Sequence, residues 1–174
     1  MQQDQTLEDT GNVAKMLDWR NALSENSAIR RLAMVPIKTK CIYVAKNANT
    51  EYPDFFEEPI LLIAKKFKSI IGMYQKNVAL QPVVLIDKKA KRQTVYYQIL
   101  APEIDCASSE SPLDHIGAIE ELVLDKTKVG NQRMFHVTGF YHHLIVRLDL
   151  VESILRRSSY GITFQKLRTE QGGL

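Results

Sequence analysis

His142 and His143 are the pair whose side chains most suggest metal or acid–base chemistry. Neighbours on an extended strand point to opposite faces, so the two are not expected to hold one ion between them. One satisfied and one exposed histidine accounts for them. His115 stands beside Asp114, with Glu120 and Glu121 close behind, which supplies the residue types of an acid–base dyad. Nearness on a loop does not by itself match pKa values, so no catalytic role follows from it. Cys41 and Cys106 lie far apart in neither metal nor redox spacing, and buried free thiols are the expectation. The chain has no glycine-rich phosphate loop, zinc spacing or nucleophile elbow. The sequence therefore offers no catalytic set, cofactor motif or metal site, and residue chemistry alone does not say what the protein does.

Charge is more informative than any single residue. The 174-residue chain has a net charge of +3, too little to imply a nucleic-acid partner. Its distribution is uneven. Lys65, Lys66, Lys68, Lys76, Lys88, Lys89, Lys91 and Arg92 face only Asp87 between Pro59 and Arg92. From Gln93 to Asp125 the sign reverses: Glu103, Asp105, Glu110, Asp114, Glu120, Glu121 and Asp125 occur without a lysine or arginine. Two such blocks either neutralise one another in the fold or give the surface two poles that steer a charged partner. Lys88, Lys89, Lys91 and Arg92 beside Tyr96 and Tyr97 also resemble a basic, base-stacking patch for single-stranded nucleic acid. The competing reading is a hairpin with a lysine-rich tip and one inward tyrosine.

The elements that position these residues follow from apolar spacing. Pro59 to Ile86 recurs in weaker form as His143 to Leu167. Each begins with an apolar triplet, Leu61-Leu62-Ile63 or Leu144-Ile145-Val146; at constant offset Phe67 falls on Leu150 and Ile71 on Ile154. After one inserted residue, Leu80 to Val83 falls on Phe164 to Leu167. Strand, helix, strand is predicted twice. Phe67, Ile70, Ile71 and Tyr74 make one face of the first helix, and Leu148, Val151, Ile154 and Leu155 one face of the second. Val83 to Ile86 and Thr94 to Leu100 predict a hairpin around DKKAKR, and Lys40 to Ala45 a strand. Ile119 to Leu124 and Met134 to Phe140 are further strand candidates. Ala101 to Pro112 is a Ser- and Glu-rich loop, and Asn47 to Pro59 another, from which Phe55 and Phe56 either reach the core or form a contact patch.

Nearer the ends the signal thins. Met1 to Gly11 is polar and predicted disordered. Asn12 to Leu23, with Val13, Met16, Leu17 and Leu23 on one stripe, predicts a short amphipathic helix, and Ala28 to Ala33 another turn. No apolar run approaches the roughly 20 residues of a membrane span, and no secretory signal is visible, so a cytoplasmic address is expected. The expected organisation is an extension over 1–36, one domain over 37–167 and a frayed tail over 168–174.

The ordered motifs LLIAKKFKSIIGMYQ…LQPVVLID, PEIDCASSES, IEELVLDKTKVGNQRMFHVTGF and LIVRLDLVESILRRSSYGITFQKL resemble the immunity proteins of bacterial polymorphic toxin systems. The particular family is the one typified by a myxobacterial immunity protein and once known only as a domain of unknown function. The resemblance runs from about Ile42 to Leu167, and its closing apolar triplet, helix and G-x-x-F appear here as Leu144-Ile145-Val146, the segment after them, and Gly161 with Phe164. Where the family often has serine after the triplet, this chain has Ala64 and Arg147. The resemblance implies a non-enzymatic antidote whose partner is a cognate protein toxin. Toxins of this class frequently attack nucleic acid through basic clefts. Glu103, Asp105, Glu110 and Asp114, on the acidic loop, are therefore the candidate partner-binding residues. The expected fold is α+β: a mixed, mainly antiparallel sheet carrying the two repeat units and a short N-terminal helix.

Overall fold

The computed structural model describes residues 1–3, 14–16, 39–45, 51–117 and 119–170. Adjacent apolar residues explain its centre. Phe55-Phe56, Leu62-Ile63 and Tyr96-Tyr97 are each split between the two faces of one sheet, because successive strand side chains alternate. A strand carrying such doublets must be covered on both sides.

The strands are β1 (Gln2–Gln3), β2 (Lys15–Met16), β3 (Lys40–Ala45), β4 (Phe55–Phe56), β5 (Leu62–Ala64), β6 (Ala79–Asp87) and β7 (Arg92–Leu100), then β8 (Glu103–Ile104), β9 (Val123–Asp125), β10 (Met134–Val137), β11 (Phe140–Val146), β12 (Ile162–Thr163) and β13 (Arg168–Glu170). Helix α1 (Lys68–Tyr74) continues a 3-10 turn at Lys65–Phe67; α2 (Lys126–Val129) is one turn, and α3 (Leu148–Leu155) completes the set. The main sheet has the order β2-β3-β6-β7-β5-β4, antiparallel except for β3 beside β6. A second sheet, β11-β10-β8, and the small pairs β1-β12 and β13-β9 complete an α+β architecture whose pairings are mostly antiparallel.

The β6–β7 hairpin forms as expected, from Asp87 opposite Arg92 to Ala79 opposite Leu100. Buried Asp87 turns the chain: its carboxylate accepts the amides of Lys89 and Ala90 at 2.9 and 2.8 Å. Pro82 sits in β6 opposite Tyr97, one residue before the β3 ladder starts at Val83, so it takes no donor from that ladder.

One face of the main sheet, through Phe55, Ile63, Tyr97 and Ile99, packs on Phe67, Ile70 and Ile71 from the first helical segment and on Leu150 and Ile154 from α3. The other gathers Ile42, Val44, Phe56, Leu62, Val83, Leu85 and Tyr96 with Ala14 and Met16. Phe55 and Phe56 are thus core residues, not a contact patch. Phe67, Ile71, Leu150 and Ile154 share one core, but the repeat does not extend to the flanking strands: Phe164 to Leu167, expected to match Leu80 to Val83, lies between β12 and β13 in no strand. β5 and β6 both flank β7, whereas β11 joins β10 and β12 joins β1.

Several expectations need correction. Lys15–Met16 is a strand paired with Ala45 and Val44, not part of a helix, and buried Ala14 before it is not helical either; residues 12, 13 and 17–23, and Ala28 to Ala33, lie outside the described residues. Met1–Gln3 is ordered: Gln2 and Gln3 pair with Thr163 and Ile162, and the Met1 amine, its pKa pushed down to about 6 by burial, donates to the Leu144 carbonyl at 2.7 Å. Arg168–Glu170 is a strand running parallel to Val123–Asp125 rather than a frayed end. On α3 the buried residues are Leu150 and Ile154, while Leu148 and Leu155 are exposed; the true inward stripe starts two residues after Leu148. The strand expected over Ile119 to Leu124 shrinks to β9, and that expected over Met134 to Phe140 breaks at Gly139 (φ +80°) into the β10–β11 hairpin. Cys41 is exposed, so only Cys106 is a buried thiol.

Candidate binding surface

The acidic segment is a connection from β8 to β9 that is tied down at many points. At its start Glu103 and Ile104 pair in parallel with His136 and Val137, and the Thr138 amide donates to the Ile104 carbonyl at 3.0 Å. Cys106 is fully buried among Leu122, Leu124, Phe135, Val137 and Ile145, and burial pushes its thiol up to about 11. A thiol in that state is packing material rather than a nucleophile.

Two buried serines then take the place of a strand ladder. The Ser108 amide donates to the Val123 carbonyl at 2.8 Å, and its hydroxyl to Glu170 at 2.6 Å. The Ser111 hydroxyl donates to the Val123 carbonyl and accepts from the Val123 amide, both at 3.1 Å. Beyond Ser111 the chain makes a second closed turn. Its bonds are Ile116 amide to Asp114 carboxylate at 2.9 Å, Gly117 amide to Asp114 carbonyl at 3.1 Å, and Glu120 amide to Pro112 carbonyl at 2.9 Å. Gly117, at φ +84°, supplies the left-handed step that this turn requires.

The four candidate carboxylates sit on successive pieces of this connection. Glu103 and Asp105 flank half-buried Ile104 and are exposed, Glu110 is exposed on the Ser108–Ser111 turn, and Asp114 holds the second turn together. Among the described residues Glu103, Asp105, Glu110 and Glu120 have no ion pair. The block is not wholly uncompensated, however: Glu121 pairs with Arg168 at 3.5 Å and Asp125 with Lys128 at 3.7 Å. Asp125 also accepts from the Thr127 hydroxyl, which with the neighbouring amides and Lys128 holds its carboxyl below the usual range. Lys128 follows Asp125 by only three residues, whereas Arg168 arrives from β13, which no reading of local composition reveals.

The basic block is engaged elsewhere. Lys66 pairs with buried Asp54 at 2.6 Å, Lys68 lies over the Tyr97 ring at 4.6 Å, Lys88 over Tyr43 at 4.1 Å and Arg92 over Tyr52 at 4.3 Å. Among the described residues no ion pair joins the two blocks.

The base-stacking reading loses its aromatic half. Tyr96 is buried, edge-on to Phe56, and donates to the Pro53 carbonyl at 2.7 Å; burial pushes its phenol above the ordinary range. Tyr97 is buried on the opposite face. Neither ring is open to a base.

Of the histidines, His115 is exposed at the acidic tip and has no hydrogen bond or ion pair among the described residues, so the acid–base dyad does not form. His143 meets Glu57 at 3.0 Å and lies against Phe140. The side chain of His142 lies outside what is described. No group of three or more His, Cys, Asp or Glu among the described residues is placed to hold a metal ion. No helix among them is long and apolar enough to cross a membrane.

Two features escaped sequence reasoning. Leu113 and Ile116 stand on the acidic tip 60% and 78% exposed; the signal was two aliphatic residues three apart inside the otherwise polar SSESPLDHIG. Asp149 collects Arg147 and, at 3.2 Å, Arg133, whose guanidinium also donates to the Tyr74 carbonyl at 3.0 Å. Hydrogen bonds from Arg147 first, then Arg133 and the Leu150 amide, hold the Asp149 carboxyl down at about 2. Compared with protein-family models and with curated proteins, the chain matches none.

Proposed function

We propose that this chain is a non-enzymatic immunity protein that binds and neutralises a cognate bacterial toxin in the cytoplasm, as a member of a polymorphic toxin system. The observation that carries the reading is the acidic connection: Glu103, Asp105 and Glu110 are exposed, with no ion pair among the described residues, on a segment whose backbone is pinned at Ile104, Ser108 and Ser111. A preorganised anionic loop suits the basic cleft of an enzyme that acts on nucleic acid, since complementary charge speeds encounter and suppresses wrong partners. The motif order from Ile42 to Leu167 supports the same class. A nucleic-acid module built on Lys88, Lys89, Lys91 and Arg92 is the weaker reading, because Tyr96 and Tyr97 are both core residues.

Titration of the adjacent gene's product, where that product is toxic, tests the proposal. Its activity should fall in proportion to added chain and vanish near equimolar amounts. Complete inactivation by a small fraction of an equivalent would indicate an enzyme, and undiminished activity at excess would remove the toxin assignment.

A further inference from the structure

We propose that the turn Glu110–Gly117 is a docking tip whose Leu113 and Ile116 side chains anchor it in an apolar pocket rimmed by lysine or arginine on a protein partner. The inference rests on the reading of the chain as a binder of a basic partner, but not on that partner being a toxin. Leu113 and Ile116 are 60% and 78% exposed, and they are held in that position rather than left so by looseness. The Asp114 carboxylate fixes the Ile116 amide at 2.9 Å, and residue 113 bridges residue 119 in antiparallel fashion. Buried Ser111 bolts the base of the tip to Val123. A rigid turn presenting aliphatic side chains loses little conformational freedom on docking.

Charge selects the occupant. The exposed carboxylates of Glu110 and Glu120 flank the pair, and among the described residues neither has an ion pair. A neutral or acidic pocket would leave them desolvated against like or absent charge, whereas a cationic rim satisfies them while the centre stays apolar. The other exposed apolar residues are less suited. Met73 stands singly on α1 within the basic block, Tyr43 lies under Lys88, the Tyr160 hydroxyl donates to Glu51 at 2.8 Å, and Leu148 and Leu155 are seven residues apart at opposite ends of α3.

Random peptides displayed on phage and selected on the full chain test this directly. The peptides recovered should combine aliphatic or aromatic residues with lysine or arginine. They should bind Leu113→Ser/Ile116→Ser at least about tenfold more weakly, the loss expected when central anchors are truncated. Leu113→Met/Ile116→Leu should retain binding, and Glu110→Gln/Glu120→Gln should slow association at low salt but not at high salt. Unchanged thermal melting of the serine pair, expected for exposed positions, separates lost contact from lost fold. The proposal is overturned by recovered peptides that lack cationic residues, by equal binding to the serine pair, or by recovery of no peptide that depends on these positions. Sedimentation showing a wild-type dimer that the serine pair dissolves would assign the tip to a second copy and also overturn it. If the adjacent gene's product fails to bind while the peptide results hold, the tip stands and the toxin assignment falls; if that product binds both forms equally, the reverse follows.

Discussion

Asp149 and Gln75 show how much of this fold is secured by single polar side chains. Asp149 is ionised at about 2 because Arg147 and Arg133 donate to it. Its folded pKa lies below that of the unfolded chain, near 4, so the stability it contributes is full above about pH 4 and is lost as pH falls through about 2. The cluster is partly exposed, which limits its worth to about 1 kcal/mol after solvent screening. Asp149→Asn should therefore lower the urea midpoint at neutral pH, and the gap to wild type should close near pH 2. Gln75 is the buried counterpart. Its amide nitrogen donates to Gln132 at 2.6 Å and to the Met134 carbonyl at 2.8 Å, while its oxygen accepts from the amides of Arg133 and Met134. Replacing it by leucine leaves backbone groups buried without partners, and equilibrium unfolding should register a loss of about 2–4 kcal/mol. Nothing in the sequence marked Gln75, since a glutamine after a helix has no local signature.

At the scale of elements, period decided what could be read. The β6–β7 hairpin was legible because alternation over nine-residue strands and an Asp-led polar turn agree. The first helix was legible from Phe67, Ile70 and Ile71. Its counterpart α3 was placed correctly but its face was not: Leu148 and Leu155 fit the same 3.6-residue period as the buried pair, and only tertiary packing separates them. Ile154→Ala should accordingly cost about 2–5 kcal/mol and Leu155→Ala less than about 0.5, measured by chemical denaturation. Equal losses would restore the stripe inferred from spacing. Strands of two or three residues, such as Lys15–Met16 and Arg168–Glu170, were not legible at all. Each exists through a partner far along the chain and carries too few residues to show alternation.

On the whole molecule, the sequence's basic and acidic blocks are each anchored by their own contacts. Lysines pair with Asp54 or lie over tyrosine rings, and the acidic connection draws its few cations from Lys128 and Arg168. That the candidate carboxylates follow one another along a single connection was legible; that Glu103 opens it from strand β8, inside what reads as the loop Ala101 to Pro112, was not. The aliphatic pair Leu113 and Ile116 was not, because two apolar residues in a polar run resemble any buried turn until their exposure is known. The acidic connection is thus proposed to meet a basic partner. Stopped-flow association with the product of the adjacent gene, comparing wild type with Glu103→Lys/Asp105→Lys/Glu110→Lys at low and high ionic strength, tests it most directly. The reversal should slow association by about tenfold or more at low salt and by much less at high salt, where the charges are screened. Equal association rates for the two proteins in both conditions would contradict it and place the contact elsewhere on the molecule.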